Sequence, residues 1–348
     1  MNCKKEVAVF ISSGIGNAVL MVPALNLLKK KNKYKPVIIL TSPFVTPEFL
    51  LFNNFPADEI IDLRNKNLIL FGLKNINRFE KSYLDYSSSS IKNLIGASLF
   101  SKNVIAYRKN KLRFADIQYL SPQKNMHAAV LHAKMIDSSV SSKEFSTELL
   151  KLNIQDGGNT FFKESSKTKH KIVSVQISSG NNKAVYKNWP VEYWVIFLKK
   201  VIEYYKEFKL ILLGDKNEME LGFEVEKRIN NSNLINLIGK TDLIQASKVL
   251  YNSDLYIGLD SAFMHLAVAY DIPTFTILGA SNESFIGYDQ FDNNKHCVVF
   301  RSLSCRPCHT WPVANTSKTK SPSKCPDFAC LTGLKPEMVF EKFKSYIK

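Results

Sequence analysis

The sequence predicts an α/β protein of two Rossmann-like domains whose parallel sheets face a central cleft. Three observations predict it. The apolar run Val7–Ile11 passes through a glycine-containing turn into a helical stretch, which is how a β-α unit opens. From Ile172 onward, short apolar strands alternate strictly with helices over short connections, which requires a parallel sheet covered on both faces. Between the halves, Asp156–Lys171 is polar, holds Gly157-Gly158 and Ser165-Ser166 with several lysines, and reads as a linker. The 348 residues suit about two domains at roughly 150 residues each. The expected division is 1–160, 161–334 and a C-terminal helix on 335–348.

In the first half, Val7–Ile11 is a strand, Ser12-Ser13-Gly14-Ile15-Gly16 a turn, and Asn17–Lys31 a helix that tolerates Pro23. Val37–Thr41, Glu59–Leu63 and Asn103–Tyr107 are further strands, Ser87–Ser90 a loop, and Asn125–Ile136 a helix. The second half is clearer. Ile172–Ile177 is a strand and Ser178–Lys187 a polar loop. Trp189-Pro190 opens a helix to about Phe208, with proline in a favourable first-turn position. Strand Leu210–Leu213 ends at Gly214, a helix follows from Lys216 to Asn230, and Leu234–Leu237 is the next strand. Asp242 caps a helix to Asn252; Leu255–Leu259, Ser261–Tyr270 and Thr274–Leu278 complete a strand, helix and strand, and Pro336–Ile347 is the last helix.

Composition narrows the function. Hydrophobic residues at 45% and charged residues at 22% fit a globular protein that needs no staples. Lys plus Arg exceeds Asp plus Glu by 47 − 31, a net charge of +16, so the surface attracts anions. No apolar run approaches the ~20 residues of a membrane-spanning helix, and no signal peptide is visible, so the expectation is a cytosolic protein. No nucleic-acid-binding module is recognisable, which argues against a nucleic-acid partner.

Several segments can carry chemistry. Gly14-Ile15-Gly16 sits between strand and helix, where backbone amides favour anions; with Val19 in place of a third glycine, it fits a tight turn as well as a binding loop. Ser178-Ser179-Gly180, with Lys183 and Lys187, follows a strand end and suits a diphosphate, or a solvated loop. Asp260-Ser261-Ala262-Phe263-Met264-His265 lies at a strand-to-helix junction. It reads either as a plain cap and a packed histidine, or as a carboxylate and free amides that would stabilise a departing phosphate. There is no Asp-x-Asp in the chain, which counts against holding a nucleotide through a bound metal.

Four segments together resemble a known family: Gly14–Pro23, Lys187-Asn188-Trp189-Pro190, Gly239-Lys240-Thr241-Asp242-Leu243, and Asp260–Ala267 followed by Ile272-Pro273-Thr274 and Leu278-Gly279-Ala280-Ser281-Asn282. In order and spacing they resemble glycosyltransferase family 9, the ADP-heptose:lipopolysaccharide heptosyltransferases, over most of the chain and most strongly over 172–288. The resemblance implies a GT-B fold, with an acceptor-side N-terminal domain and a donor-holding C-terminal one. It implies an inverting transfer from a nucleotide-diphosphate sugar, ADP-heptose above all, to a lipid-linked or surface-glycan acceptor, with no cofactor. Carried over, Ser178, Ser179 and Lys187 contact the diphosphate, Glu218 the ribose, and Thr241 flanks the base. Asp260 lies near the sugar and diphosphate, with Ser261, Ala262 and His265 around the same helix N-terminus. Gly14, Gly16 and Asp85 fall on the acceptor side. The terminal helix is expected to cross back to the first domain, as in GT-B proteins.

Two positions depart from the family pattern. Asn17 stands where the family has an aspartate general base, and an amide cannot accept a proton usefully near neutral pH. Asp260, Asp85 and His127 are the alternatives; otherwise the protein only binds, as a catalytically impaired nucleotide-sugar binder or scaffold. Ala262 replaces a usual glycine, and its Cβ restricts backbone approach to phosphate. Asp260, Asn17 and His265 are the expected catalytic set.

Two features remain. Cys305-x2-Cys308 and Cys325-x4-Cys330 have the makings of a structural zinc site with His309 as a spare ligand, or are plain thiols or disulfides. The run Lys29-Lys30-Lys31-Asn32-Lys33-Tyr34-Lys35 is either a solvated helix end or a dock for the anionic inner face of a membrane.

Overall fold

Among the described residues every strand pairing is parallel, and each half builds one six-stranded sheet. The computed structural model describes residues 4–107, 116–121, 123, 125–155, 170–179, 185–308 and 325–347. Most of the expected linker, together with Gly180, Lys183 and His309, lies outside the described residues. The chain divides into two units, Met1–Gln155 and Asp156–Lys348.

The first unit contains β1 (Lys5–Ile11), α1 (Ile15–Leu20), α2 (Val22–Lys30), β2 (Tyr34–Leu40), α3 (Pro47–Phe52), β3 (Glu59–Asp62), α4 (Leu68–Lys74), β4 (Phe79–Leu84), α5 (Ile91–Phe100), β5 (Ser101–Tyr107), β6 (Ile117–Leu120) and α6 (Ala128–Ile136). Its sheet order is β3-β2-β1-β4-β5-β6. The central strand β1 is apolar without alternation because both its faces are covered, and Val7–Phe10 are fully buried.

One sequence expectation is corrected here, and two elements are added that the sequence reading did not assign. The single helix 17–31 is two helices broken at Met21, with Pro23 in the first turn of α2. Proline has no N–H to continue a ladder, so the chain restarts a helix around it. The strand β4 is absent from the expected elements because Glu80-Lys81-Ser82 reads as polar; buried Ser82 is satisfied by Ser101 at 2.6 Å, which lets it sit inside a sheet. The apolar run Leu68–Lys74 is a helix, pressed on α5 where Gly96 leaves room for Leu68.

The second unit contains β7 (Lys171–Val175), α7 (Val191–Tyr204), β8 (Phe208–Leu212), α8 (Met219–Ile229), β9 (Leu234–Asn236), α9 (Leu243–Tyr251), β10 (Leu255–Leu259), α10 (Ala262–Ala269), β11 (Thr274–Leu278), α11 (Glu283–Ile286), β12 (His296–Phe300), α12 (Ala329–Thr332) and α13 (Pro336–Tyr346). The sheet order is β12-β11-β10-β7-β8-β9. Pro190 is the N-cap of α7, not a first-turn residue, and α7 ends at Tyr204 because Phe208 already starts β8. Asp242 caps α9 through a capping box with Gln245. The last helix buries Val339, Phe340 and Phe343 in the second unit's core, where Phe343 meets Phe197 and Phe275 edge-on.

Candidate functional site

In the second unit the chain lays down β7, β8 and β9 in one direction and then returns to build β10, β11 and β12 on the other side, so strand order reverses between β7 and β10. In open parallel sheets, ligands sit off the carboxyl edge at such a reversal. Ser178 and Ser179 follow β7, Glu218 follows β8, Thr241 follows β9, and Asp260 and Ser261 follow β10. All the expected donor residues of this unit therefore leave the same sheet edge.

At the reversal, Lys187 Nζ lies 2.7 Å from Asp260 Oδ2, and Ser281 Oγ donates to the same oxygen at 2.5 Å. Asp260 is 6% exposed. Burial pushes its carboxyl up, but the Lys187 ammonium, His265 and the Ser281 hydroxyl outweigh that and hold it below the ordinary aspartate range. His265 is buried, with Nδ1 2.8 Å from Tyr288 Oη. Burial, aided by Lys187 and opposed by Asp260, lowers its pKa to about 4, so it is neutral at pH 7.

Ser261 is the N-cap of α10, yet its side chain makes no capping bond. Its hydroxyl is turned to Gln176 Oε1, which also accepts from Tyr256 Oη at 3.1 Å. A first-turn helix amide has no intrahelical partner, so the α10 N-terminus keeps its donors and its positive dipole end for another acceptor. Ala262 is the first residue of that helix.

The remaining expected donor residues differ in how they are held. Ser179 donates through both N and Oγ to Asn188 Oδ1, each at 2.9 Å. Glu218 Oε2 accepts from the Asp215 amide at 3.0 Å within a capping box. Thr241 Oγ1 is buried with no hydrogen-bond partner among the described residues.

Residues 279–283, which carry Ser281, are clamped. Arg306, 3% exposed at its side chain, donates to Gly279 O (2.7 Å), Ser281 O (2.7 Å) and Glu283 Oε2 (2.8 Å). The Cys308 amide donates to Ala280 O at 3.1 Å. The cysteine segment thus fixes the loop that carries Ser281. Burial, then the neighbouring Cys308 and Cys325 thiols, pushes Cys330 up to about 11; burial also raises Cys308. Among the described residues, no group of three or more His, Cys, Asp or Glu side chains is arranged to hold a metal ion.

The first unit repeats the design. Its strand order reverses between β1 and β4, and the Gly14 turn follows β1 while Asp85 follows β4. A Cβ built on Gly14 meets nothing within 4 Å, so the protein's own packing does not demand glycine there; Gly16 lies inside α1. Asn17 Nδ2 donates to Ser13 Oγ (2.6 Å), Ser13 Oγ to Ser87 Oγ (3.0 Å), and Ser87 Oγ to Asp85 Oδ2 (2.6 Å). His132 Nε2 is 3.9 Å from Asp85 Oδ2 while its Nδ1 faces Leu20 O at 2.9 Å. His127 caps α6, its Nδ1 accepting from the Ala129 amide at 3.2 Å. Of the basic run, Lys29, Lys31 and Lys35 pair with Asp58, Asp137 and Glu6, which neutralises much of it.

Reading residues alone missed Gln176, Tyr256, Tyr288, His132, Ser13, Ser87 and Arg306. Ser13, Ser87 and Ser281 lay inside segments already singled out, but with no role given to them. The others are brought in by strand register and by packing across the sheet edge.

Residues 109–317 match the family model described as glycosyltransferase family 9 (heptosyltransferase). The chain is 26% identical to lipooligosaccharide heptosyltransferase 2 of Campylobacter jejuni subsp. jejuni serotype O:6 (strain 81116), over 97% of this chain and 98% of that protein. It is similar to the solved structure of a family 9 glycosyl transferase from Veillonella parvula DSM 2008, with a TM-score of 0.74, 16% identity, and 100% and 98% of the two chains covered. It is also similar to the E. coli ADP-heptose lps heptosyltransferase II structure, with a TM-score of 0.72, 16% identity and 98% of each chain covered.

Proposed function

The chain belongs to glycosyltransferase family 9, and from that premise we propose that it moves a heptose from ADP-heptose to a lipopolysaccharide- or lipooligosaccharide-type acceptor, inverting the anomeric carbon without a metal ion. The names of the similar C. jejuni and E. coli proteins motivate donor and acceptor class. The observation that carries the reading is the Lys187–Asp260 pair at 2.7 Å beside the α10 N-terminus, whose capping serine is engaged elsewhere.

In this reading, the Lys187 ammonium and the α10 amides take the diphosphate, with Ser178 and Ser179 beside them. Because Asp260 is already neutralised by Lys187, the incoming diphosphate meets no bare carboxylate. Charge on the departing diphosphate is stabilised by a fixed cation and a helix dipole, the task a divalent ion performs elsewhere. Asp260 positions Lys187, with which its carboxylate is paired at 2.7 Å, rather than taking a proton. Neutral His265 backs Asp260, and Glu218 and Thr241 take the ribose and base. The acceptor oxygen bonds to the anomeric carbon as the carbon–phosphate oxygen bond breaks on its opposite face. The cysteines serve the fold by holding 279–283.

We place the enzyme peripherally at an anionic membrane surface. The +16 charge and the exposed Leu70, Leu73 and Ile76 on and after α4 support this.

The test is nucleoside diphosphate release across ADP-, GDP-, UDP- and CDP-sugars, with and without a cell-derived acceptor, in buffer containing EDTA. ADP release that requires both ADP-heptose and acceptor is expected. ADP-heptose binding without turnover would favour the binder reading that Asn17 motivates, and release lost in EDTA would overturn metal independence.

A further inference from the structure

We propose that Ser13, Ser87 and Asp85 form a proton relay that carries the acceptor hydroxyl's proton from the Gly14 turn to a buried carboxylate. The inference rests on the glycosyl-transfer reading above.

The chain of groups is continuous: 2.6 Å from Asn17 Nδ2 to Ser13 Oγ, 3.0 Å from Ser13 to Ser87, and 2.6 Å from Ser87 to Asp85 Oδ2. Its hydrogens run one way. A carboxylate only accepts, so the Ser87 hydrogen points at Asp85, and an amide nitrogen only donates, so Ser13 oxygen accepts from Asn17 and turns its own hydrogen to Ser87. Ser13 oxygen keeps one further lone pair, the place for an acceptor hydroxyl to donate.

The outer end is half-buried and the inner end sealed: Asp85 is 1% exposed, and its Oδ1 takes the Ser88 amide at 2.8 Å. Ser42 Oγ pins the Ser13 carbonyl at 2.5 Å, and Ser89 Oγ pins the Asp85 carbonyl at 2.7 Å. The run of four serines after β4 is therefore an ordered network and not a plain loop.

The step balances. The acceptor oxygen bonds to the anomeric carbon, and the bond from that carbon to the diphosphate oxygen breaks with its electron pair on the diphosphate. The acceptor proton passes to Ser13 Oγ as Ser13 gives its own to Ser87, and Ser87 gives its own to Asp85 Oδ2. Both serines end as they began, and Asp85 ends as a carboxylic acid. Asn17 holds Ser13 in place and moves no proton.

The experiment compares the unaltered protein, Ser87→Ala, Ser87→Thr and Asp85→Asn. Ser87→Ala should lower kcat by about 10²-fold or more, the usual share of general base catalysis, with KM for donor and acceptor unchanged, and Ser87→Thr should recover most of it. Asp85→Asn should show the same kcat loss; because Asp85 is buried, its folding is checked by circular dichroism and urea unfolding against the unaltered protein. Wild-type kcat in Ser87→Ala, or a loss confined to KM, overturns the relay alone. No transfer by the unaltered protein overturns the glycosyl-transfer reading and the relay with it.

Discussion

The chemistry at single positions turns on how two charges are held. Lys187 is joined to Asp260 at 2.7 Å, and the Asp260 side chain is 8% exposed. Removing the ammonium strips the diphosphate of a charge-assisted contact and leaves a buried carboxylate without its ion-pair partner, hydrogen-bonded by Ser281. Each of these effects is worth about 1.5–3 kcal/mol. Lys187→Ala should therefore weaken ADP binding by about 10-fold to 10²-fold, measured by calorimetric titration; unchanged affinity would remove Lys187 from the diphosphate site. Asn17 is the complementary case. An aspartate at position 17 accepts instead of donating, so it draws the Ser13 hydrogen toward itself and away from Ser87, and places a base at the surface of the turn. Asn17→Asp should keep or raise turnover. In that background, Ser87→Ala should cost little, because the relay beyond Ser13 is no longer used. A double-mutant cycle reads this directly; equal Ser87→Ala losses in both backgrounds would show that position 17 and the serines act separately.

Loops and caps at the strand ends decide whether those residues stay in place. The segment 279–283 is held from outside the sheet by Arg306, whose planar guanidinium reaches three acceptors at once and lies 4.1 Å over the Phe300 ring. Lysine cannot reproduce that fork. Arg306→Ala should cost about 2–3 kcal/mol, since Glu283 stays part-solvated while two carbonyls lose their donor. It should also weaken ADP binding by freeing Ser281 from Asp260, and Arg306→Lys should rescue neither. Denaturant unfolding and ADP titration check the two effects, and a loss of stability with intact ADP affinity would separate the clamp from the site. At this scale the sequence was readable where one signal dominated. Leu255–Leu259 and Thr274–Leu278 are continuous apolar runs at central positions, and the structure gives the same bounds. Asp242 announces its capping box. It was not readable where tertiary partners override local character. Ser82 enters β4 only because Ser101 satisfies it, and Ser261 looks like a cap but spends its hydroxyl on Gln176, some 85 residues away in sequence.

Both units, taken separately, follow one plan: a six-stranded parallel sheet whose order reverses in the middle, with the chemistry-bearing residues off the strands flanking that reversal. The family resemblance and the β-α alternation were enough to expect this plan. The hydrogen-bond chain from Asn17 to Asp85 was not, because it joins two strands that are neighbours only after a crossover. The plan also fixes how the protein meets acid. Its core buries histidines whose charging burial opposes. His265 and His296 are both lowered to about 4, each chiefly by burial, and His132 in the first unit is lowered for the same cause. In the unfolded chain these side chains titrate near 6.5. For His265 and His296, between about 6.5 and about 4 the unfolded state binds protons that the folded state refuses, so stability falls as pH drops through that window, by up to about 1.4 kcal/mol per pH unit for each of the two. Asp260 has the opposite timing: its folded pKa is depressed, so its contribution is present above the ordinary aspartate value of 3.8 and is lost only as pH falls further. Destabilisation should therefore begin well before that carboxylate titrates. Urea midpoints at pH 7, 6 and 5 should decline monotonically, and His296→Gln should flatten the slope by about one proton; a midpoint constant from pH 7 to 5 would mean that these imidazoles accept protons while the sheets remain folded.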